Sequence, residues 1–290
     1  MKTAVITTGG LGTRLFTITK VLPKTMLPLF EKNPSDLNSP ILRPLIEIIF
    51  NDLYDAGFRR FCFIVGVKTK RVIIDHFNKN DNFINLLKKR NSSIDKRFVK
   101  SLETFDKKFA KCEISWITQS TPMGFGHALL SSKKFVGNET FLLYAGDAFF
   151  LKSNFLLDFI HNHQKSKDAT CSVLLERKKH LKGFGIAQVK KKNSENIIFN
   201  IEEKPKKPKS NFAVLPVYIF EPIVFDALKK TIHGYNNELQ VTDAIQTLIN
   251  WDKKVLSFKY KQKSWFDIGI PANYHKALNQ SFNISTKNRI

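Results

Sequence analysis

The chain is poor in the features that mark secreted, membrane-spanning or disulfide-stapled proteins. Its three cysteines, Cys62, Cys112 and Cys171, stand singly without CxxC spacing, so no disulfide framework is indicated and a reducing, cytoplasmic setting is expected. No run of about 18 apolar residues occurs, which excludes a transmembrane helix. Met1-Lys2-Thr3 passes at once into Ala4-Val5-Ile6 and glycines, so a signal peptide is not expected. Acidic residues are scarce, 25 Asp+Glu against 47 Lys+Arg, leaving a formal charge of +22. Such an excess attracts polyanions. The basic runs, however, are dispersed (Lys88-Lys89-Arg90, Lys190-Lys191-Lys192, Lys204 to Lys209), and the 26 phenylalanines fall in apolar stretches. The charge therefore reads as solvated surface, and neither nucleic acid nor membrane is an expected partner.

What is present suits an enzyme-sized α/β core, with 42% hydrophobic residues in 290. Thr3 to Thr8 reads as a strand ended by Gly9-Gly10, and Phe61 to Val65 as a second buried strand. Between them, apolar periodicity predicts a helix from Leu42 to Ala56 with Gly57 as its stop. Alternation of this kind implies parallel βαβ units with both sheet faces covered. Residues 75–111 are polar, lysine-rich and read as a helical insertion. Further strands are expected at Glu113 to Ile117, Thr140 to Tyr144 and Ala169 to Leu175. Helices are expected near His127 to Lys134 and, capped by Ser153, over Asn154 to Gln164. The second half reads as more antiparallel, with strands at Gly185 to Val189, Ile197 to Ile201 and Phe212 to Phe220. Pro271 opens a last helix reaching Gln280. No internal repeat or long linker occurs, so one unit over 1–281 is expected, with 282–290 a frayed tail.

The strongest chemical signal is Gly9-Gly10-Leu11-Gly12-Thr13-Arg14 directly after the first strand. Glycines let backbone N–H groups approach an anion closely. The dinucleotide fingerprint fails because Leu15 replaces its third glycine, and the P-loop fails because no Gly-Lys-Ser/Thr follows. A glycine-rich turn alone is equally a mere tight turn. Arg14, followed by Pro23-Lys24-Thr25-Met26-Leu27-Pro28, makes the anion reading specific. No Ser/His/Asp or Cys/His arrangement suggests a covalent nucleophile. His127 reads as a helix-start residue, His161 and His163 as surface, and Cys62 and Cys171 as core.

The glycine loop with Thr19-Lys20 and Lys24-x-Met26-Leu27-Pro28 resembles the nucleotidyltransferases that make nucleoside diphosphate sugars. In the same order follow Gln119 to Ala128, Gly146-Asp147, Glu202-Glu203-Lys204-Pro205, Glu238 to Asp243 and Trp265-Phe266-Asp267-Ile268-Gly269. The resemblance spans residues 3 to 280 and is strongest to the bacterial-type UTP–glucose-1-phosphate uridylyltransferases. Lys20, Met26, the Gly124-Phe125-Gly126-His127-Ala128 segment, Ala148 and the helical insertion match that branch. Departures are Thr17, Thr25 in place of a usual glutamate, Pro216 in place of a glycine, and an extra stretch at 33–42.

The resemblance implies a Rossmann-like mixed sheet flanked by helices, and transfer of a uridylyl group from UTP to glucose 1-phosphate with Mg²⁺. Arg14, Lys24 and Asp147 are implied as catalytic. Thr8, Gly9, Gly10, Leu11, Gly12, Thr13, Gln119 and Gly124 would bind the nucleotide, with Gln119 at the pyrimidine edge. Gly185, Glu203 and Lys204 would bind the sugar phosphate, and Asp147 with Asp267 the metal. A homo-oligomer, dimer or tetramer, is also implied. The alternatives are a dTTP-dependent thymidylyltransferase, a catalytically silent nucleotide-sugar-binding regulator, and a non-enzymatic polyanion binder.

Overall fold

A computed structural model describes residues 1–10, 12–33, 36–90, 92–262 and 264–286. Leu11 of the glycine loop and residues 287–290 of the expected tail lie outside the described residues. The first part of the chain holds β1 (Thr3–Thr7), α1 (Phe16–Thr19), β2 (Pro28–Asn33), β3 (Asp36–Pro44), α2 (Leu45–Asp55) and β4 (Arg60–Gly66). It continues with α3 (Lys70–Phe77), α4 (Asp81–Arg90), α5 (Ser93–Phe109), β5 (Glu113–Gln119), α6 (Phe125–Ser131), α7 (Lys133–Val136), β6 (Phe141–Ala145) and β7 (Ala148–Phe150). The middle part holds α8 (Phe155–Lys165), β8 (Ala169–Arg177), β9 (Ile186–Lys192), β10 (Glu195–Glu202) and β11 (Phe212–Phe220). Last come α9 (Val224–Lys230), α10 (Val241–Asn250), β12 (Lys254–Lys259), β13 (Trp265–Asp267) and α11 (Pro271–Ser285).

Nine strands form one mixed sheet in the order β5-β4-β1-β6-β11-β8-β12-β10-β9. The strands β5, β4, β1 and β6 are mutually parallel, whereas β11 runs antiparallel to both β6 and β8. Successive side chains of a strand point to opposite faces, and both faces here are apolar. Ala4, Ile6, Phe61 and Phe63 enter one core with α2, α3, α5, α8 and α11. Val5, Cys62 and Ile64 enter the other with α6, α9 and α10. Because β4 lies on one side of β1 and β6 on the other, a crevice opens at the carboxyl ends of these strands, where open α/β sheets take ligands. Among the described residues, no helix is long and apolar enough to cross a membrane.

Several expectations are corrected. The helix expected from Leu42 begins at Leu45, because Leu42 to Pro44 belong to β3, paired in register with Pro28 to Phe30 of β2. Residues 36–42 of the extra stretch thus belong to β3, which pairs with β2. Ser153 does not cap α8; its hydroxyl donates to Asp52 Oδ1 at 2.8 Å. His163 is buried, not on the surface, because it meets the Ser172 hydroxyl of β8 at 2.8 Å, and burial lowers its pKa. The last helix extends through Ser285, where Phe282 packs edge-on against Phe30 with ring centroids 5.1 Å apart. The helical insertion is anchored by Phe105 and Phe109 of α5, whose rings pack on Phe50 and Phe77 in the first core.

Asp52, on α2 beside this core, is a carboxyl whose titration bears on stability. Burial pushes its carboxyl up to about 7, the Ser153 hydroxyl opposes the shift, and the Glu31 and Asp55 charges add to it. The folded state therefore holds the proton more tightly than the unfolded chain, where the ordinary value is 3.8. Stability contributed by the neutral form is complete below that value and is lost as pH rises through about 7. Asp52→Asn, which keeps an acceptor for Ser153, should raise the melting temperature by several degrees in mildly alkaline buffer. The gain should vanish in acid below the ordinary carboxylate range, as thermal denaturation across pH would reveal.

Candidate active site

The crevice is built first by β1 and the loop that follows it. Thr8 continues toward β4, its amide and hydroxyl donating to the Ile64 carbonyl at 2.7 and 2.8 Å. The Thr19 hydroxyl and the Leu15 amide both donate to the Gly12 carbonyl at 2.8 Å, which closes the loop on α1. Gly9, Gly10, Gly12 and Thr13 then line the crevice. The short turn Lys24–Met26 brings Lys24 beneath Gly10.

The centre is fixed by pairing between distant segments. The ladder of β7 with β13 sets Ala148 opposite Asp267, and the Ile268 amide donates to the Asp147 carbonyl at 3.1 Å. The Asp147 and Asp267 carboxylates are thereby brought to one place. Lys24 Nζ pairs with Asp147 Oδ2, and Arg14 Nη2 with Asp267 Oδ2 at 3.1 Å. Burial, then the Asp147 charge, raises the Asp267 pKa, while Arg14 and Lys24 act in the opposite sense. Gly269 makes this convergence possible. A Cβ there would lie 2.9 Å from Asp267 Oδ1, 3.2 Å from Lys24 Nζ and 3.4 Å from Arg14 Nη2. Among the described residues no three His, Cys, Asp or Glu side chains converge on a metal position. The donor set is then two carboxylates, which fits a hard divalent ion that completes its shell with phosphate oxygens and water.

At one end of the crevice, Gln119 closes β5 and is buried, with its Nε2 3.0 Å from His127 Nδ1 in the first turn of α6. Gly124 has φ +105°, and a Cβ there would come within 2.6 Å of the Leu239 carbonyl oxygen. The Gly126 amide donates to that same carbonyl at 2.8 Å, and the Leu239 amide donates to the Met123 carbonyl at 3.0 Å. Two motif segments distant in sequence are stitched together at Gly124.

At the other end sit Gly185, Glu203 and Lys204. The Val214 amide donates to the Gly185 carbonyl at 2.8 Å. Glu203 Oε2 accepts from the Thr242 hydroxyl at 2.8 Å, and its Oε1 is 3.1 Å from Lys204 Nζ. That ammonium also lies 4.6 Å from the centre of the Tyr235 ring, within cation–π range. Thr242 and Tyr235 were not singled out from the sequence, although Thr242 lies inside the Glu238 to Asp243 motif. Pro216 also lines the crevice, at an irregularity in β11 between Val214 and Tyr218 where a missing N–H is tolerated.

All the candidate residues that the structure describes thus border one cavity of about 630 Å³. It has a buried amide at one end, a lysine at the other and two cation–carboxylate pairs between them. Such a cavity can hold an extended molecule with a hydrogen-bonding ring, a polyphosphate and a polar second group.

The chain is similar to known proteins over nearly its whole length. Residues 3–283 match the family model described as Nucleotidyl transferase. The chain is 30% identical over 285 residues to a Methanocaldococcus jannaschii protein provisionally assigned as a UTP–glucose-1-phosphate uridylyltransferase, with 96% of this chain and 92% of that protein covered. It is 29% identical to UTP–glucose-1-phosphate uridylyltransferase 2 of Streptococcus pyogenes serotype M3, over 95% of this chain and 88% of that one. Its fold matches a crystal structure of UDP-glucose pyrophosphorylase complexed with UDP-glucose. That match has a TM-score of 0.80 and 26% identity, and it covers 98% of this chain and 99% of the other.

The close approach at Gly269 has a direct consequence. Gly269→Ala should lower turnover about tenfold by displacing Asp267, Lys24 and Arg14 a few tenths of an ångström. The melting temperature should change little, since the residue lies at the cleft and not in either core. Parallel steady-state kinetics and thermal denaturation check this.

Proposed function

Because this chain belongs to the nucleotidyl transferase family, we propose that it transfers the uridylyl group of UTP to glucose 1-phosphate, giving UDP-glucose and pyrophosphate. The observation that carries the reading is the charge order of the cleft, with the Lys24–Asp147 and Arg14–Asp267 pairs between Gln119 and Lys204. The likeness to uridylyltransferases over nearly the whole chain supports this choice of substrates.

A phosphate oxygen of the sugar 1-phosphate attacks the α-phosphorus of UTP. The new P–O bond forms as the bond to the bridging α–β oxygen breaks, and pyrophosphate leaves with that electron pair. Both reactants are anions, so repulsion and alignment dominate the barrier, and the protein's task is to supply fixed cations and orientation. In this reading Lys24 donates to the α-phosphate, and the Arg14 guanidinium holds the β- and γ-phosphates. Thr8 and the Gly9-to-Thr13 backbone cradle the triphosphate. Gln119 meets the pyrimidine edge beside Gly124. Lys204 holds the sugar phosphate, Glu203 accepts from sugar hydroxyls, and Gly185 leaves room for the ring.

Asp147 and Asp267 would hold the divalent ion, which we take to be Mg²⁺. When bound, it neutralises phosphate charge at the reacting centre. The present cation–carboxylate pairs keep four charges compensated until substrate replaces them. The catalytic unit is proposed to be residues 1–281, with 75–111 as its insertion, in a cytoplasmic homo-oligomer.

The proposal is tested by a pyrophosphate-release assay crossing UTP, dTTP, CTP, ATP and GTP with several sugar 1-phosphates. UTP with glucose 1-phosphate should give the highest kcat/KM, with dTTP accepted less well. Activity should disappear on chelation and return with Mg²⁺. Lys204→Ala should raise KM for glucose 1-phosphate while leaving that for UTP nearly unchanged, and Gln119→Ala should do the reverse. Equal losses toward both substrates in both variants would contradict the assignment of the two ends.

A further inference from the structure

We propose that His127 sets the nucleobase specificity of the cleft by holding the Gln119 carboxamide in one of its two orientations. The inference rests on the reading of Gln119 as the residue that meets the pyrimidine. A carboxamide is nearly symmetric in shape but opposite in chemistry at its two ends, so an unrestrained glutamine can present either a donor or an acceptor to a base. Gln119 is restrained. Its Nε2 lies 3.0 Å from His127 Nδ1, and with the imidazole proton on the other ring nitrogen the Nδ1 lone pair accepts from it. Gln119 Oε1 is left on the opposite side, against the glycine loop, where a Cβ on Gly9 would be 3.0 Å from it.

With Nε2 tied to His127, the carboxamide offers an acceptor, Oε1, to the base and keeps its second N–H beside it. Uracil and thymine carry N3–H, a donor, next to a carbonyl oxygen, and match this pair. Cytosine has a bare N3 next to an amino group, so acceptor meets acceptor and donor meets donor. The imidazole thus rejects cytosine without touching it, by denying the glutamine its other orientation. His127 is a positioning residue in this scheme. It is well placed for the task, since α6 begins where Gly124 and Gly126 are clamped against Leu239.

The test is the ratio of kcat/KM for UTP to that for CTP, measured with saturating glucose 1-phosphate. It is taken for the wild type, His127→Phe, His127→Leu, His127→Asn and Gln119→Ala, with melting temperatures confirming that each variant is folded. The phenylalanine and leucine variants remove the acceptor in two different shapes, so failure of one to fold leaves the other. The ratio should fall at least about tenfold in both, with the loss on UTP appearing in KM more than in kcat. His127→Asn, whose Oδ1 can accept where Nδ1 did, should restore most of the ratio. If Gln119→Ala lowers the ratio while the phenylalanine and leucine variants keep the wild-type value, His127 only packs, and this inference falls while the cleft reading stands. If Gln119→Ala changes neither the ratio nor KM for UTP, the base lies elsewhere and both readings fall.

Discussion

A three-residue antiparallel ladder, β7 against β13, holds two carboxylates from distant parts of the chain against one lysine and one arginine. Each of these four groups comes from a different segment. Lys24 follows the glycine loop's helix, Arg14 lies in the loop itself, Asp147 lies in the turn between β6 and β7, and Asp267 ends β13. Two carboxylates in one cleft must be compensated, and the Asp267 pKa is raised first by burial and then by the Asp147 charge. Compensation by two side-chain cations can be exchanged for compensation by a divalent ion and phosphates. On the proposed function, a polyanion would meet a cleft whose Lys24–Asp147 and Arg14–Asp267 charges are already paired.

The rest of the fold serves to hold that centre still. Parallel strands on both sides of β1 leave the crevice at their carboxyl ends, and the two cores clamp the sheet between helix layers. The helical insertion adds to this support, because its phenylalanines complete the aromatic cluster around Phe50. Abundant phenylalanine thus has a packing role in the scaffold. On the opposite face, Gly124 and Gly126 press the segment after Gln119 against Leu239, which links it to the motif carrying Thr242, the hydrogen-bond partner of Glu203.

Much of this was legible in the sequence where the signal is contiguous. The glycine loop after β1, the buried strand Phe61 to Val65, and the strand from Phe212 to Phe220 are local patterns, and they fold as local patterns do. The candidate residues also come together, Leu11 lying outside the described residues. Periodicity reports which positions are apolar but not which partner a polar residue meets. His163 looked like surface because Ser172, which it faces, is on a neighbouring strand. Ser153 looked like a cap because Asp52, its acceptor, lies in another helix. The apolar run from Leu42 continued smoothly into α2, so the boundary at Pro44 was set by the pairing of β3 with β2. Tyr235 could not be found locally, since its relation to Lys204 exists only once α10 and β10 are packed together.

The central claim is that this cleft aligns two phosphates for direct attack and supplies no covalent nucleophile. Transfer from one diastereomer of UTP carrying sulfur at the α-phosphorus, with the configuration of the UDP-glucose product assigned by phosphorus NMR, tests it most directly. A single in-line displacement predicts inversion at that phosphorus. Retention would require two successive displacements through a uridylylated side chain, and would contradict the account.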